Sequence, residues 1–252
     1  IGADEIMKDM KVSMVSYPMN DCRLMGDVDS VKFTFENTGV SSFVEGDTIY
    51  VSYMEGTTMN TDTLTVPSGM VFKNGMTSDY TFDSLLNVGN PGAHSMDVWT
   101  SYFRDADRTN DTMGHGYFTN PNPVANYTVA EECEYETSEF KDASSVAIGN
   151  VTGWNWMFGD GNSSMAQNPS NDYGTYDTFY VRLIATTDSG CVDTTYGEAI
   201  THPTPVANFS TSNVCDHAQA DFTNSSSVAY GTLTYAWDMG HNANTSSMTD
   251  PS

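Results

Sequence analysis

Basic side chains are scarce: nine Lys and Arg stand against thirty-three Asp and Glu, a formal charge of −24. Binding to nucleic acid needs Lys and Arg to displace phosphate counterions, so this acidity excludes that partner class and disfavours an anionic membrane surface. No apolar run approaches the roughly 18–20 residues a membrane-crossing helix requires, so no membrane insertion is expected in this segment. The first residues, Ile1-Gly2-Ala3-Asp4-Glu5, lack an initiator Met, a basic n-region and an apolar h-region. Any targeting signal is therefore expected to have been removed or to lie outside the segment. Cysteines number four (Cys22, Cys133, Cys191, Cys215) and none has CxxC spacing, which speaks against zinc. The five histidines (His94, His115, His202, His217, His241) are scattered without a zinc-like spacing. G-x-S-x-G and HExxH are both missing, so no hydrolytic chemistry is expected and no catalytic residue is assigned.

What is present is a repeat. Pro123-Val124-Ala125-Asn126-Tyr127 returns as Pro205-Val206-Ala207-Asn208-Phe209, and Cys133, Phe140 and Val146 return as Cys215, Phe222 and Val228, each 82 residues on. Trp156 answers to Trp237 after a one-residue slip, and Asn168-Pro169 to Asp250-Pro251. A period near 80 residues suits one small autonomous domain and is too long for a solenoid unit. Within the first full repeat, Cys133 and Cys191 form a potential disulfide, with two buried free thiols as the alternative; Cys215 would then pair beyond residue 252. Cys22 has no evident partner and reads as a small buried residue.

Ahead of the repeat, short stretches alternate apolar with polar residues at 10–15, 31–35, 49–53, 80–82 and 96–99. Turn-forming clusters at 36–39, 45–47, 73–75 and 89–92 separate them. Aromatics at 12% argue for packed sheets with polar loops, and the turn spacing for an antiparallel sandwich. Pro121-Asn122-Pro123 and Pro203-Thr204-Pro205 read as stiff joints, because proline fixes φ and removes a backbone donor. The expected organisation is a linker over 1–9, an Ig-like sandwich over 10–120, a second sandwich over 121–204 and the early part of a third over 205–252. The fold class is all-β: tandem immunoglobulin-like β-sandwiches arranged as an elongated rod.

The run Trp154-Asn155-Trp156-Met157-Phe158-Gly159-Asp160-Gly161, followed by Asn168-Pro169, Tyr173 and an apolar stretch at 180–185, resembles the PKD (polycystic kidney disease) domain. In that reading Trp156 and Phe158 are structural, Trp156 anchors a strand between the sheets, and Gly159-Asp160-Gly161 makes a tight turn in which Asp160 bonds its own backbone. Asn171 stands where the family often has His, and Met239 and His241 depart from the motif in the last repeat. The ending Asp188-Ser189-Gly190-Cys191-Val192-Asp193-Thr194-Thr195 resembles PKD repeats of large surface proteins exported by type IX secretion, including gliding-motility adhesins. That resemblance implies an extracellular, cell-surface location and O-glycans on Ser or Thr after Asp. The candidates are Ser30, Thr48, Thr63, Ser84, Thr112 and Thr194.

Asp105, Asp107, Asn110 and Asp111 bring four oxygen-bearing side chains into seven residues. Calcium takes six to eight oxygens and could use them; solvated turn chemistry is the alternative. No other cofactor is implied. The acidic stretch 131–136 reads as a solvated strand edge, and the methionines crowding the first domain (Met7, Met10, Met14, Met19, Met25) read as core filling rather than a Cu(I) site. Trp99 and Trp154 are candidate sugar platforms, with a place in the core as the alternative. The expected function is a non-enzymatic stalk or adhesin segment that spaces and displays an adhesive or motility element. The alternatives are a glycan- or protein-binding module and a subunit of a self-assembling filament. Partners would be other surface proteins, extracellular glycans or further copies of the chain.

Overall fold

The computed structural model describes residues 8–24, 26–215, 218–240 and 245–252, and among these it contains strands and turns but no helix. Residues 1–7 of the expected linker, with Met7, Met25, His217 and His241, lie outside the described residues. The chain divides into two compact units. One comprises the residues up to Val124 with Ser145–Thr152 and Thr186–Asp193; the other comprises Ala125–Ser144, Gly153–Ala185 and Thr194–Ser252.

The first sandwich uses ten strands: β1 (Met10–Tyr17), β2 (Asp21–Arg23), β3 (Val28–Asn37), β4 (Phe43–Val44), β5 (Thr48–Glu55), β6 (Thr58–Thr65), β7 (Val71–Phe72), β8 (Thr77–Asn87), β9 (Gly92–Ser101) and β10 (Thr112–Pro121). Side chains alternate across a strand, so β3 turns Val31, Phe33 and Phe35 inward and leaves Lys32, Thr34 and Glu36 half-exposed. One sheet runs β1-β3-β8 and the other β2-β10-β9-β5-β6, with β4 and β7 paired separately. Their inner faces meet in a core where Tyr53 of β5 sets its ring edge-on against Phe82 of β8 at 4.8 Å. At the end of β3 the buried Asn37 amide donates to the Ser41 and Phe72 carbonyls, and its oxygen accepts from Gly39 N–H. That satisfies a polar group which would otherwise be costly to bury. Met10 and Met96 fill the core, but Met14 and Met19 are 54% exposed, so core filling accounts for only part of the methionine cluster.

The second sandwich follows the same plan: β11 (Tyr127–Val129), β12 (Glu132–Cys133), β13 (Thr137–Asp142), β14 (Val151–Met157), β15 (Ser163–Ser164), β16 (Ser170–Asp172), β17 (Thr178–Thr187) and β18 (Val192–His202). Its sheets run β11-β13-β16 and β12-β18-β17-β14-β15. In both sandwiches the first strand joins the three-stranded sheet. A short second strand then crosses over and runs parallel to the last strand, β2 beside β10 and β12 beside β18. No sequence repeat links the two, so the agreement lies in topology alone. The acidic stretch at 131–136 does lie at a sheet edge, where β12 is the outermost strand.

The sequence repeat at 205–252 is a repeat of contacts too. Its strands are β19 (Phe209–Thr211), β20 (Phe222–Asn224), β21 (Trp237–Asp238) and β22 (Thr245–Ser246). Tyr127 meets Trp156 edge-on at 5.3 Å and 75°, and Phe209 meets Trp237 at 5.3 Å and 73°. Trp156 Nε1 donates to the Ala166 carbonyl at 2.9 Å as Trp237 Nε1 does to Met248 at 2.8 Å. Phe140 N–H donates to the Pro169 carbonyl as Phe222 N–H does to Pro251.

Candidate functional site

The group with the strongest chemistry is a carboxylate cluster at the start of the first sandwich. Asp9 lies one residue before β1. Its carbonyl accepts from Thr38 and Gly39 N–H at 3.0 and 3.3 Å, and its carboxylate from Thr38 Oγ1 at 2.5 Å. The loop between β9 and β10 folds back over this segment: Ala106 N–H donates to the Lys8 carbonyl and Met10 N–H to Asp105 Oδ2, at 3.0 and 3.3 Å. Asp111 closes the loop, its carbonyl accepting from Thr100 N–H at 3.1 Å. One oxygen each from Asp9, Asp105 and Asp111 lies within 4.8 Å of the others. Asn110 Nδ2 donates to both oxygens of Asp9 at 3.3 and 3.1 Å.

Three like charges this close and partly desolvated repel one another. Burial, followed by its hydrogen bond to and repulsion from Asp9, pushes Asp105 up to about 6 against the pull of backbone N–H donors. Burial, then Asp105 and Asp9, pushes Asp111 up to about 7, with Arg108 opposing. The nearby Lys8 ammonium is committed elsewhere, 2.6 Å from Asp47 and 5.4 Å from the centres of the Phe43 and Tyr102 rings. Burial lowers its pKa, but the Asp47 and Tyr102 hydrogen bonds outweigh that and raise it.

Of the four candidate oxygen-bearing residues, the structure brings Asp105, Asn110 and Asp111 together and leaves Asp107 out. Asp107 is exposed, and it accepts from Thr109 N–H at 3.0 Å and Thr109 Oγ1 at 2.5 Å, which lowers its pKa. Turn chemistry is therefore the role of that residue. Its place in the cluster is taken by Asp9, the last residue of the expected linker.

The expected Cys133–Cys191 disulfide is corrected: Cys191 is bonded to Cys22 at a Cα–Cα distance of 5.6 Å, and Cys133 is free. The reason is strand length. Cys191 immediately precedes β18, whereas Cys133 pairs with His202 at its far end. At about 3.4 Å per residue those positions are some 37 Å apart, against the roughly 4.4–6.8 Å a disulfide allows. Cys22 sits in β2, opposite Asn120 of β10, and Cys191 Sγ lies 3.9 Å from the Asn120 carbonyl. Cys215 is a free, exposed thiol.

The tryptophan–glycine motif is built as local chemistry dictates. Trp156 and Phe158 are buried, and Tyr173 Oη donates to the Phe158 carbonyl at 2.9 Å. Gly159 and Gly161 have φ of +87° and +98°. Between them Asp160 accepts from Asn162 N–H at 2.9 Å and from the Asn162 and Asn171 amides, both at 2.8 Å. Asn171, where the family often has His, thus steadies the turn. Trp154 packs half-buried against this core. Among the glycan candidates Thr63, Thr112 and Thr194 are exposed, while Ser30, Thr48 and Ser84 are half-buried.

Comparison with known proteins gives a family model described as the PKD domain, matching residues 120–202. Among solved structures, the PKD1 domain of Vibrio anguillarum Epp is 27% identical, with 32% of this chain and 95% of that one covered at a TM-score of 0.31. The PKD1 domain of the Vibrio cholerae metalloprotease PrtV is 28% identical, covering 32% and 96% at 0.30. The fibronectin(III)-like modules of Clostridium thermocellum CbhA are 11% identical, covering 75% and 93% at 0.32. Residues 120–202 thus form a PKD-like domain of the immunoglobulin type within an all-β chain of tandem sandwiches.

Proposed function

We propose that this chain is a non-enzymatic segment of an exported cell-surface protein, a stalk that spaces and displays an adhesive or motility element. The PKD match is compatible with an extracellular module, and oxidising exteriors are where structural disulfides persist. Type IX secretion is the export route its cysteine-containing ending suggests. Exposure favours Thr63, Thr112 and Thr194 as the residues carrying O-glycans there.

The observation that carries the mechanical reading is the Cys22–Cys191 bond, which joins residues 169 apart in sequence. Tension entering before Cys22 and leaving after Cys191 passes through the sulfurs, so the residues between cannot be drawn out while the bond is intact. Stretching single molecules with and without reductant tests this. Reduction should release about 560–610 Å of additional contour, at about 3.3–3.6 Å per residue over a separation of 169. Equal released lengths in both conditions would contradict the reading.

A second reading, a binding module for extracellular glycans or surface proteins, is favoured by Tyr180 and Tyr196, which are 74% and 73% exposed on the adjacent strands β17 and β18. Exposed rings of this kind suit sugar faces. If that reading holds, the Tyr180→Ala, Tyr196→Ala double variant should lose retention on immobilised glycans with its melting unchanged; equal retention would count against it.

A further inference from the structure

We propose that Asp9, Asp105 and Asp111, with the Asn110 side-chain oxygen, form a calcium site that fastens the lead-in of the first sandwich to its β9–β10 loop. The inference goes beyond the stalk reading and does not depend on it. Proximity of three carboxylates is not sufficient by itself, and what points to a ligand is the set of oxygens left without donors.

Asp111 is only 7% exposed, yet its Oδ1 has no hydrogen-bond partner among the described residues; Asn110 Oδ1 is also buried without one. Across the ladder from Asp111, Thr100 is 0% exposed and its Oγ1 is likewise unpartnered. Thr100 N–H donates to the Asp111 carbonyl one step beyond the Thr112–Trp99 pair, so the two residues are neighbours across the end of the β9–β10 ladder. A buried oxygen without a donor is costly unless a cation or proton meets it.

The donor set selects the cation class. Every candidate ligand is an oxygen, and His or Cys is absent from the cluster, which disfavours zinc and copper. Several carboxylate oxygens already accept backbone or side-chain hydrogen bonds, which leaves fewer lone pairs free to build a regular shell. Calcium, which takes six to eight oxygens in flexible arrangements, tolerates that better than magnesium, which demands a near-regular octahedron. Water would complete the shell. Neutralising the cluster would hold Asp9, before β1, to Asp105 and Asp111, some hundred residues away in the chain.

The test uses the 252-residue chain stripped with chelator, with calcium chloride alone as the probe. Titration calorimetry should show one calcium per chain, with a dissociation constant on the order of 10⁻⁴–10⁻³ M, the range of extracellular modules. Near 10 mM calcium, about ten times the weaker limit, the first sandwich should melt roughly 5 °C higher. Backbone hydrogen exchange should slow at Met10, Thr38, Gly39 and Ala106. Asp111→Asn should fold, because it removes repulsion, and should lose the binding heat and the added protection; Asp107→Asn should retain both. Asp9→Asn serves as the second loss variant. Absence of binding heat near 10 mM would overturn the site, as would an Asp111→Asn response equal to that of the native chain, since general screening of the net negative charge would then explain the effect.

Discussion

Gly159 and Gly161 flank Asp160 with similar positive φ, yet their surroundings set different costs for a side chain. A Cβ on Gly159 would lie 2.7 Å from the Tyr180 carbonyl oxygen and 2.8 Å from its nitrogen, whereas one on Gly161 would meet nothing within 4 Å. Gly161→Ala should therefore cost about 1–2 kcal/mol of backbone strain, and Gly159→Ala that strain plus the clash, about 3 kcal/mol or more. Urea unfolding of the two variants separates the terms; equal losses would mean the contact with Tyr180 carries no weight. Charge at Asp105 and Asp111 makes a second residue-scale prediction. Their folded pKa values, about 6 and about 7, lie above the unfolded carboxylate value, so the stability they contribute is fully present below about pH 4 and is lost as pH rises through 6 and 7. Asp107 and Asp142 have lowered values and titrate below that window. In chelator the native chain should thus lose stability between pH 5 and 8, on the order of 2 kcal/mol once solvent screening of these partly exposed carboxylates is allowed for. Asp111→Asn should flatten much of that slope and be the more stable protein at pH 8. A slope unchanged by the substitution would locate the titration elsewhere.

At the scale of elements, the Trp156 strand carries the second sandwich. Its ring touches Tyr127, Phe140 and Phe158, with centroids 5.3, 5.6 and 6.4 Å away, and its N–H is satisfied by Ala166. Trp156→Ala should cost about 3–5 kcal/mol, and Asn171→Ala, which removes one donor to Asp160, about 1–2 kcal/mol. Chemical denaturation of the single variants checks both. These features were legible in the sequence because they are local. Alternation at Val31, Phe33 and Phe35 marks an inner face within five residues, and Gly159-Asp160-Gly161 encodes its own turn. Repeated spacing exposed the likeness of 205–252 to its predecessor without any structure. Pairings across long separations were not legible. Asp9 joins Asp105 and Asp111 only because β1 starts beside the β9–β10 loop, and no spacing in the chain records that. Cys133 and Cys191 looked like partners because one domain holds both, but β18 separates them by its full length. The partial exposure of the methionine cluster was hidden for a related reason: Met14 and Met19 belong to a strand and turn whose outward face depends on register.

For the whole molecule, the disulfide decides which residues bear load and which are shielded. With Cys22 joined to Cys191, most of the first sandwich and the second as far as β17 lie within the covalent loop. The strands outside it, β1, β18 and those of the last repeat, are free to yield. Cys22→Ser should therefore lengthen the releasable chain as reduction does, and should leave Cys191, which is buried in the folded chain, as a thiol that labels once the chain is unfolded. The loop should also stabilise the folded chain by a few kcal/mol through the unfolded state, so reduction should lower the melting midpoint. Both outcomes depend on which cysteines are joined. Mass spectrometry of a non-reduced proteolytic digest reads that pairing directly. The expected result is one cross-linked peptide pair containing Cys22 and Cys191, with Cys133 and Cys215 alkylated as free thiols. Recovery of a Cys133–Cys191 pair, or of Cys22 as an alkylated thiol, would contradict it.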